Sequence, residues 1–405
     1  MLKLPGGMSR LEFHGFMVLL LSMYSFGNAL ILPTLPLMQK IIPGVAVTWV
    51  FSSLILGFGS TQLIWGTMAD RWGRRKVLLA GLAMLTLASV ACFFLAQAWQ
   101  LFVLRFAQGA GIAAAGVCAR AMIRDHYAGE HAVSVLSLYF ALLGLVGLVG
   151  LYLAGYLIEY QGLAGALVAY ATLAALAWGY VLLRKPRCVI ASLAPLADHR
   201  NKAIVLEWRR IAMHPVFCMY TALTACSYLG QYIFLTQSPF LLIDRCHWSV
   251  VDYGGMLSLC SLLYVAGTLC CRSLLPKIGI QKLICRASVI GLIAGFGMIV
   301  IVLAKTSDQW LVILPYFLYI FAHAIHQSCG QAAAMAPFRN SAAQASGLLG
   351  TILPLFAVIT ERILIPNLER SSLVLPAGVF LAAILTAIVA WIWIRKNGDI
   401  GFYRV

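Results

Sequence analysis

His323, His326 and Gln327 stand three and four residues apart within the apolar run 310–333, which puts them on one broad face of a helix. An imidazole with an ordinary pKa of about 6.5 exchanges its proton near neutrality, so this pair is a candidate proton carrier. Two neutral histidines hydrogen-bonded between helices are the competing reading, and a metal site lacks an apparent third ligand. Arg105 lies a few residues inside another apolar run. Inserting such a charge costs roughly 2.5–3.5 kcal/mol, so it should face a cavity or find a partner, unless it snorkels to the headgroups. In a cavity its fixed charge can perturb a proton carrier or bind an anionic part of a substrate. Tyr24, Asn28, Tyr228, Gln231 and Tyr232 offer the sparse polar and aromatic groups that an amphiphilic ligand requires. Each also reads as an ordinary interhelical contact. Glu361, beside Arg362, reads as an interface residue and as a second candidate protonatable group.

A different kind of charge cluster occupies 66–76, G-T-M-A-D-R-W-G-R-R-K. Asp70, Arg71, Arg74, Arg75 and Lys76 require this segment to leave the apolar phase, and Gly66 and Gly73 permit a tight turn there. A basic turn that only sets topology is the bland reading. The acidic Asp70 in an otherwise basic segment favours a paired-charge role.

These residues must be held by membrane helices. The chain of 405 residues is 62% hydrophobic and only 10% charged, with a mean hydropathy of +0.91, against about 25% charged residues in a soluble protein. Apolar runs long enough to cross about 30 Å of hydrocarbon recur throughout, leaving no room for a sizeable soluble domain. Backbone groups in lipid must be satisfied within their own segment, and barrel alternation is missing, so the spans are helical.

The net charge of +16 does not imply nucleic acid, because the basic residues segregate by side. With a cytoplasmic N-terminus, about 23 of the 29 Lys and Arg fall on the cytoplasmic side and about five outside. Both termini are therefore expected in the cytoplasm. The run beginning near Phe13 is too long for the apolar core of a cleavable signal, so the first helix is expected to be retained. The eleven cysteines show neither disulfide nor metal spacing and read as small core residues.

Helices are expected near 13–35, 47–67, 77–96, 100–123, 133–157 and 165–183, then near 215–240, 253–275, 283–304, 310–333, 344–365 and 373–394. The basic stretch 184–214 separates them, giving domains 1–183 and 215–405 joined by a cytoplasmic linker. The second half repeats the first weakly: Arg272, Lys277, Gly279 and Lys282 occupy the turn matching 66–76, without an acid in place of Asp70.

The order G-x-x-x-D-R-x-G-R-R in 66–75 resembles the signature between the second and third helices of major facilitator superfamily transporters. L-x-x-L-R-F-A-Q-G-A-G in 101–111 resembles the fourth-helix motif of drug:proton antiporters, with Arg105, Gln108 and Gly109 matching. The segments 119–125, 336–338 and 342–347 resemble the Bcr/CflA branch of drug resistance transporters. This resemblance implies an all-α integral membrane protein with the major facilitator fold, its 12 transmembrane helices in two six-helix bundles around a midplane cavity. It also implies that Asp70, the following arginines and Asp125 form a charge network that biases one of two bundle arrangements.

Two departures stand out. Branch members commonly carry an acid in D-M-Y-L-P-x-L-P, where this chain reads A-L-I-L-P-T-L-P over 29–36. The fifth-helix motif usually has a proline before its glycine pair, where this chain reads G-L-Y-L-A-G over 150–155. The usual membrane carboxylate is missing, which moves the coupling question to Arg105 and the histidines.

The leading expectation is a monomeric, proton-coupled exporter of amphiphilic drug-like compounds in the bacterial inner membrane, with a small-molecule substrate, protons and lipid as partners and no cofactor. A carrier of an anionic metabolite or siderophore, and a non-cycling sensor, remain open. No nucleophile-base-acid arrangement or G-x-x-x-x-G-K-[ST] loop is present, which disfavours an enzyme and an ATP-driven pump.

Overall fold

Continuous apolar sequence, interrupted by glycine and proline, folds into helices because only helices satisfy the backbone locally in hydrocarbon. The computed structural model describes residues 10–41, 48–94, 97–126, 129–184, 201–304, 309–338, 341–364 and 373–394. In chain order these form α1 (Arg10–Ala29), a short 3-10 turn and α2 (Leu35–Ile41), α3 (Thr48–Trp72), α4 (Arg74–Ala91), α5 (Ala98–His126) and α6 (Gly129–Arg184). There follow α7 (Asn201–Ala212), α8 (Pro215–Pro239), α9 (Val250–Ile278), α10 (Ile280–Leu303), α11 (Gln309–Met335), α12 (Ala342–Leu364) and α13 (Val374–Ile388). No strand occurs among the described residues.

Among the described residues, eight helices are long and apolar enough to cross a membrane, with lengths from 19 to 29 residues. Exposed Leu176, Ile293, Leu303 and Ile363 give their outer faces the apolar surface that lipid requires. Neither α8 nor α11 is among the eight, and these are the helices that carry Ser227, Gln231, His323, His326 and Gln327. Their polar groups are the interior of a membrane protein rather than its lipid face.

The chain divides into two units. One comprises 1–201 with 248–261, the other 202–247 with 262–405, so the division falls inside α9. Within the first unit, α3 and α5 cross at glycines. A Cβ on Gly109 would collide with the Leu54 carbonyl, and one on Gly57 with the Phe106 carbonyl. Trp65 adds a hydrogen bond from its indole N–H to the Ala110 carbonyl, at 2.8 Å. The glycines of 101–111 therefore bring backbones together, the device that replaces hydrophobic driving force between helices in lipid.

The expected gap between the fifth and sixth helices is smaller than the sequence implied. α6 runs through both, broken only at Gly162, with φ of 66° and ψ of −167°. A single glycine suffices because that conformation is essentially closed to other residues. The start of α9 is fixed by side chains: Ser249 Oγ accepts the Asp252 N–H at 3.0 Å, and Glu159 accepts the Val250 N–H at 3.1 Å.

The second unit has a core of Phe217, Tyr220, Leu223, Ile284, Ile325 and their neighbours. Ile211 of α7 is buried in it. The stretch expected to be a plain linker thus contains an amphipathic helix, with Arg209 and Arg210 exposed and Glu207 accepting a hydrogen bond from Ser341 at 3.0 Å. The rest of that linker, 185–200, lies outside the described residues.

The two halves share one backbone detail. Gly73 joins α3 to α4 with φ of 86° and ψ of 146°, and Gly279 joins α9 to α10 with φ of 77° and ψ of 161°. Both occupy a region that only glycine enters without strain, so the weak sequence repeat is a sharp structural one.

Candidate functional site: two buried polar clusters

In the first unit, α5 carries Arg105 into the interior, where it is 2% exposed. Burial at this level rules out the snorkelling geometry. Its Nη1 donates to Gln108 Oε1 at 3.0 Å, one helical turn on. Gln108 is fully buried, and its Nε2 donates to Ser89 Oγ of α4 at 3.0 Å. Arg105 Nε has no hydrogen-bond partner. Tyr170, on the second limb of α6, donates to the Met23 carbonyl of α1 at 3.2 Å. The cluster is thus a guanidinium whose Nε–H is unused, held by a glutamine that is itself anchored on Ser89.

On α1, the ring of Tyr24 packs on Phe58 with centroids 4.4 Å apart, and Asn28 keeps a buried Oδ1 with no hydrogen-bond partner. Both are partly buried. Gly66, Arg71, Gly73, Arg74 and Arg75 lie at the α3–α4 junction. Asp70 ends α3 and Asp125 ends α5, but their side chains lie outside the described set.

In the second unit, α11 aligns His323, His326 and Gln327, which are 1%, 3% and 4% exposed. Gln327 donates to the Thr224 carbonyl of α8 at 3.2 Å, and Gln331 donates to Gln327 at 2.7 Å. The two histidines meet the same hydroxyl: Ser227 Oγ of α8 lies 2.8 Å from His323 Nδ1 and 3.3 Å from His326 Nδ1. His326 Nε2 lies 3.0 Å from Ser288 Oγ of α10. Tyr319 donates to the Ser227 carbonyl at 2.9 Å. A small cavity, large enough for about one water, is lined by Ser227, Ser288, Tyr319, His323, His326 and Thr386. Tyr228 and Gln231 are partly buried nearby on α8, whereas Tyr232 is wholly buried.

Sequence reasoning found the histidines and missed Ser227 and Ser288, which organise them. It also left open the surroundings of Glu361, which is 1% exposed and accepts hydrogen bonds from Thr236 at 3.1 Å and Gln237 at 3.2 Å. Its other oxygen lies 3.4 Å from Arg362 Nε.

Long apolar helices with buried, mutually bonded polar groups define the class as a multi-pass membrane protein. Residues 17–360 match the family described as Major Facilitator Superfamily, and the chain belongs to it. It is 27% identical over 231 residues to the chloramphenicol resistance protein CraA of Acinetobacter baumannii, covering 56% of this chain and 55% of that one. It is 24% identical to the multidrug resistance protein MdtM of Salmonella typhimurium, covering 53% of each chain. The chain thus spans about half the length of these relatives, 55% and 53%. A chloramphenicol resistance protein of Pseudomonas aeruginosa is 27% identical, covering 73% of this chain and 72% of that one. The inward open xylose transporter XylE from E. coli superposes with a TM-score of 0.70 at 12% identity, covering 95% of each chain. At that identity the likeness is one of fold.

Proposed function

We propose that this protein exports amphiphilic drug-like compounds or metabolites across the bacterial inner membrane by alternating access, driven by the proton gradient, as in the Bcr/CflA-like branch. The observation that carries this reading is the His323–Ser227–His326 cluster, a protonatable group buried in an apolar helical unit. It supplies what the missing first-helix acid leaves open. The relatives named for chloramphenicol and multidrug resistance support a drug-like substrate. In this reading Tyr24, Asn28, Arg105 and Gln108 act in the first half, and Tyr228, Gln231, Tyr232, His323, His326 and Gln327 in the second. Gly66, Asp70, Arg71, Gly73, Arg74, Arg75 and Asp125 form the conformational switch. The domains are 1–183 and 215–405 with a cytoplasmic linker and both termini in the cytoplasm, and the protein works as a monomer.

The test is uptake of chloramphenicol and amphiphilic dyes into everted vesicles. Accumulation should collapse when the proton gradient is dissipated, and unchanged accumulation would reject the coupling.

One observation favours a second reading. The unused Arg105 Nε matches an anionic ligand group, which would make the substrate a carboxylate-bearing metabolite or siderophore. Preferential binding of anions by the purified protein separates the two.

A further inference from the structure

The histidine pair admits an accounting of its protons. The Ser288 hydroxyl lies 2.9 Å from the Ile284 carbonyl and donates to it, since a carbonyl only accepts. Toward His326 the Ser288 oxygen therefore accepts, and His326 Nε2 carries a hydrogen. A neutral His326 then has a bare Nδ1, which takes the one hydroxyl proton of Ser227. With that proton spent, Ser227 Oγ accepts from His323, which must carry its hydrogen on Nδ1. What remains is His323 Nε2, a bare lone pair.

From this geometry we infer that the two histidines form one proton site with a single entrance, His323 Nε2, and a closed far end at Ser288; this deepens and rests on the proton-coupled reading above. An incoming proton forms an N–H bond at His323 Nε2. The His323 Nδ1 proton passes to Ser227 Oγ as the Ser227 hydroxyl proton passes to His326 Nδ1. His323 ends neutral with its hydrogen on Nε2, and His326 ends as the cation. The step adds one proton and needs no other reactant. A second proton is refused, because two cationic rings would both donate to the same Ser227 oxygen and repel one another. Beyond His326 the path stops, because the Ser288 hydroxyl is committed to a backbone carbonyl. The proton leaves by the nitrogen through which it entered, so the side to which His323 Nε2 is open decides where the proton goes.

Other titratable groups face the entrance. Tyr228 of α8, Tyr264 of α9 and Tyr319 of α11 surround the His323 ring at centroid distances of 6.4, 5.9 and 6.4 Å.

The experiment is nitrogen NMR of the full-length protein in detergent, labelled at histidine side chains, with His323→Gln and His326→Gln assigning the signals. At high pH, His323 should carry its hydrogen on Nδ1 and His326 on Nε2. On acidification both rings should shift together with one midpoint and one proton taken up. Ser227→Ala should split the behaviour into two independent titrations, and Ser227→Thr, which keeps the hydroxyl, should restore the joint one. The opposite tautomers, uptake of two protons, or a Ser227→Ala profile like the wild type would each overturn the site. The predicted tautomers alongside drug flux indifferent to a pH gradient would uphold the site and reject the coupled-export reading.

Discussion

Gln237 donates its amide hydrogen to Glu361 over 3.2 Å, joining two buried side chains of α8 and α12. Thr236 donates to the same oxygen but also reaches the Ile233 carbonyl at 3.1 Å, whereas the glutamine amide relies on the carboxylate. Glu361→Ala should lower stability by about 1–3 kcal/mol, the cost of a buried donor left without an acceptor. Glu361→Gln, which keeps an acceptor oxygen, should cost less. Thermal unfolding in detergent reads both, and equal midpoints for wild type and Glu361→Ala would contradict the role.

Gly73 and Gly279 make matched predictions. Placing alanine at φ of 86° or 77° should cost about 1–3 kcal/mol at each site. Neither position has an atom within 4 Å of a built Cβ, so the penalty is conformational and not steric. Unfolding midpoints of Gly73→Ala and Gly279→Ala should fall together.

Gly57 and Gly109 differ in mechanism, because there a Cβ meets backbone. Gly109→Ala should reduce the yield of monodisperse protein more than Gly73→Ala does, since α3 and α5 cannot yield by rotating a side chain. Size-exclusion profiles after membrane extraction give the comparison.

Arg105→Ala leaves the Gln108 Oε1 without its charged donor. A hydrogen bond of that kind is worth about 1.5–3 kcal/mol, so transport should fall roughly tenfold or more. Arg105→Lys should recover part of the loss. Under the anionic-substrate reading, anion binding weakens in Arg105→Ala while binding of cationic dyes stays level.

Asp70→Asn tests the switch. The expected outcome is substrate binding retained with flux abolished, measured on the same reconstituted preparation; flux at the wild-type rate would remove Asp70 from the mechanism.

The fold was legible because hydrocarbon leaves the chain few options, and runs such as 283–304 announce themselves by composition alone. Boundaries were less so. Gly162 does the work of a loop in one residue, and α7, which Ile211 ties to the core, hides in a basic stretch. Arg105 and the histidines stood out as costly groups in apolar sequence. Ser227 did not, because serines in membrane helices ordinarily bond back to their own helix, as Ser52 and Ser89 do here. Nothing in composition distinguishes the serine that turns toward another helix. Gln108 was singled out by its motif position alone, and nothing in the sequence hinted that its amide would donate to Ser89 and Cys92 of the neighbouring segment.

The Ser288 hydroxyl bound to the Ile284 carbonyl also bears on the cell's energy economy. A continuous wire of hydroxyls and imidazoles through the bundle would discharge the membrane battery whenever the carrier stood idle. A wire that terminates on a peptide carbonyl does not conduct, so cells holding many copies of this protein should keep their membrane voltage until a substrate is presented.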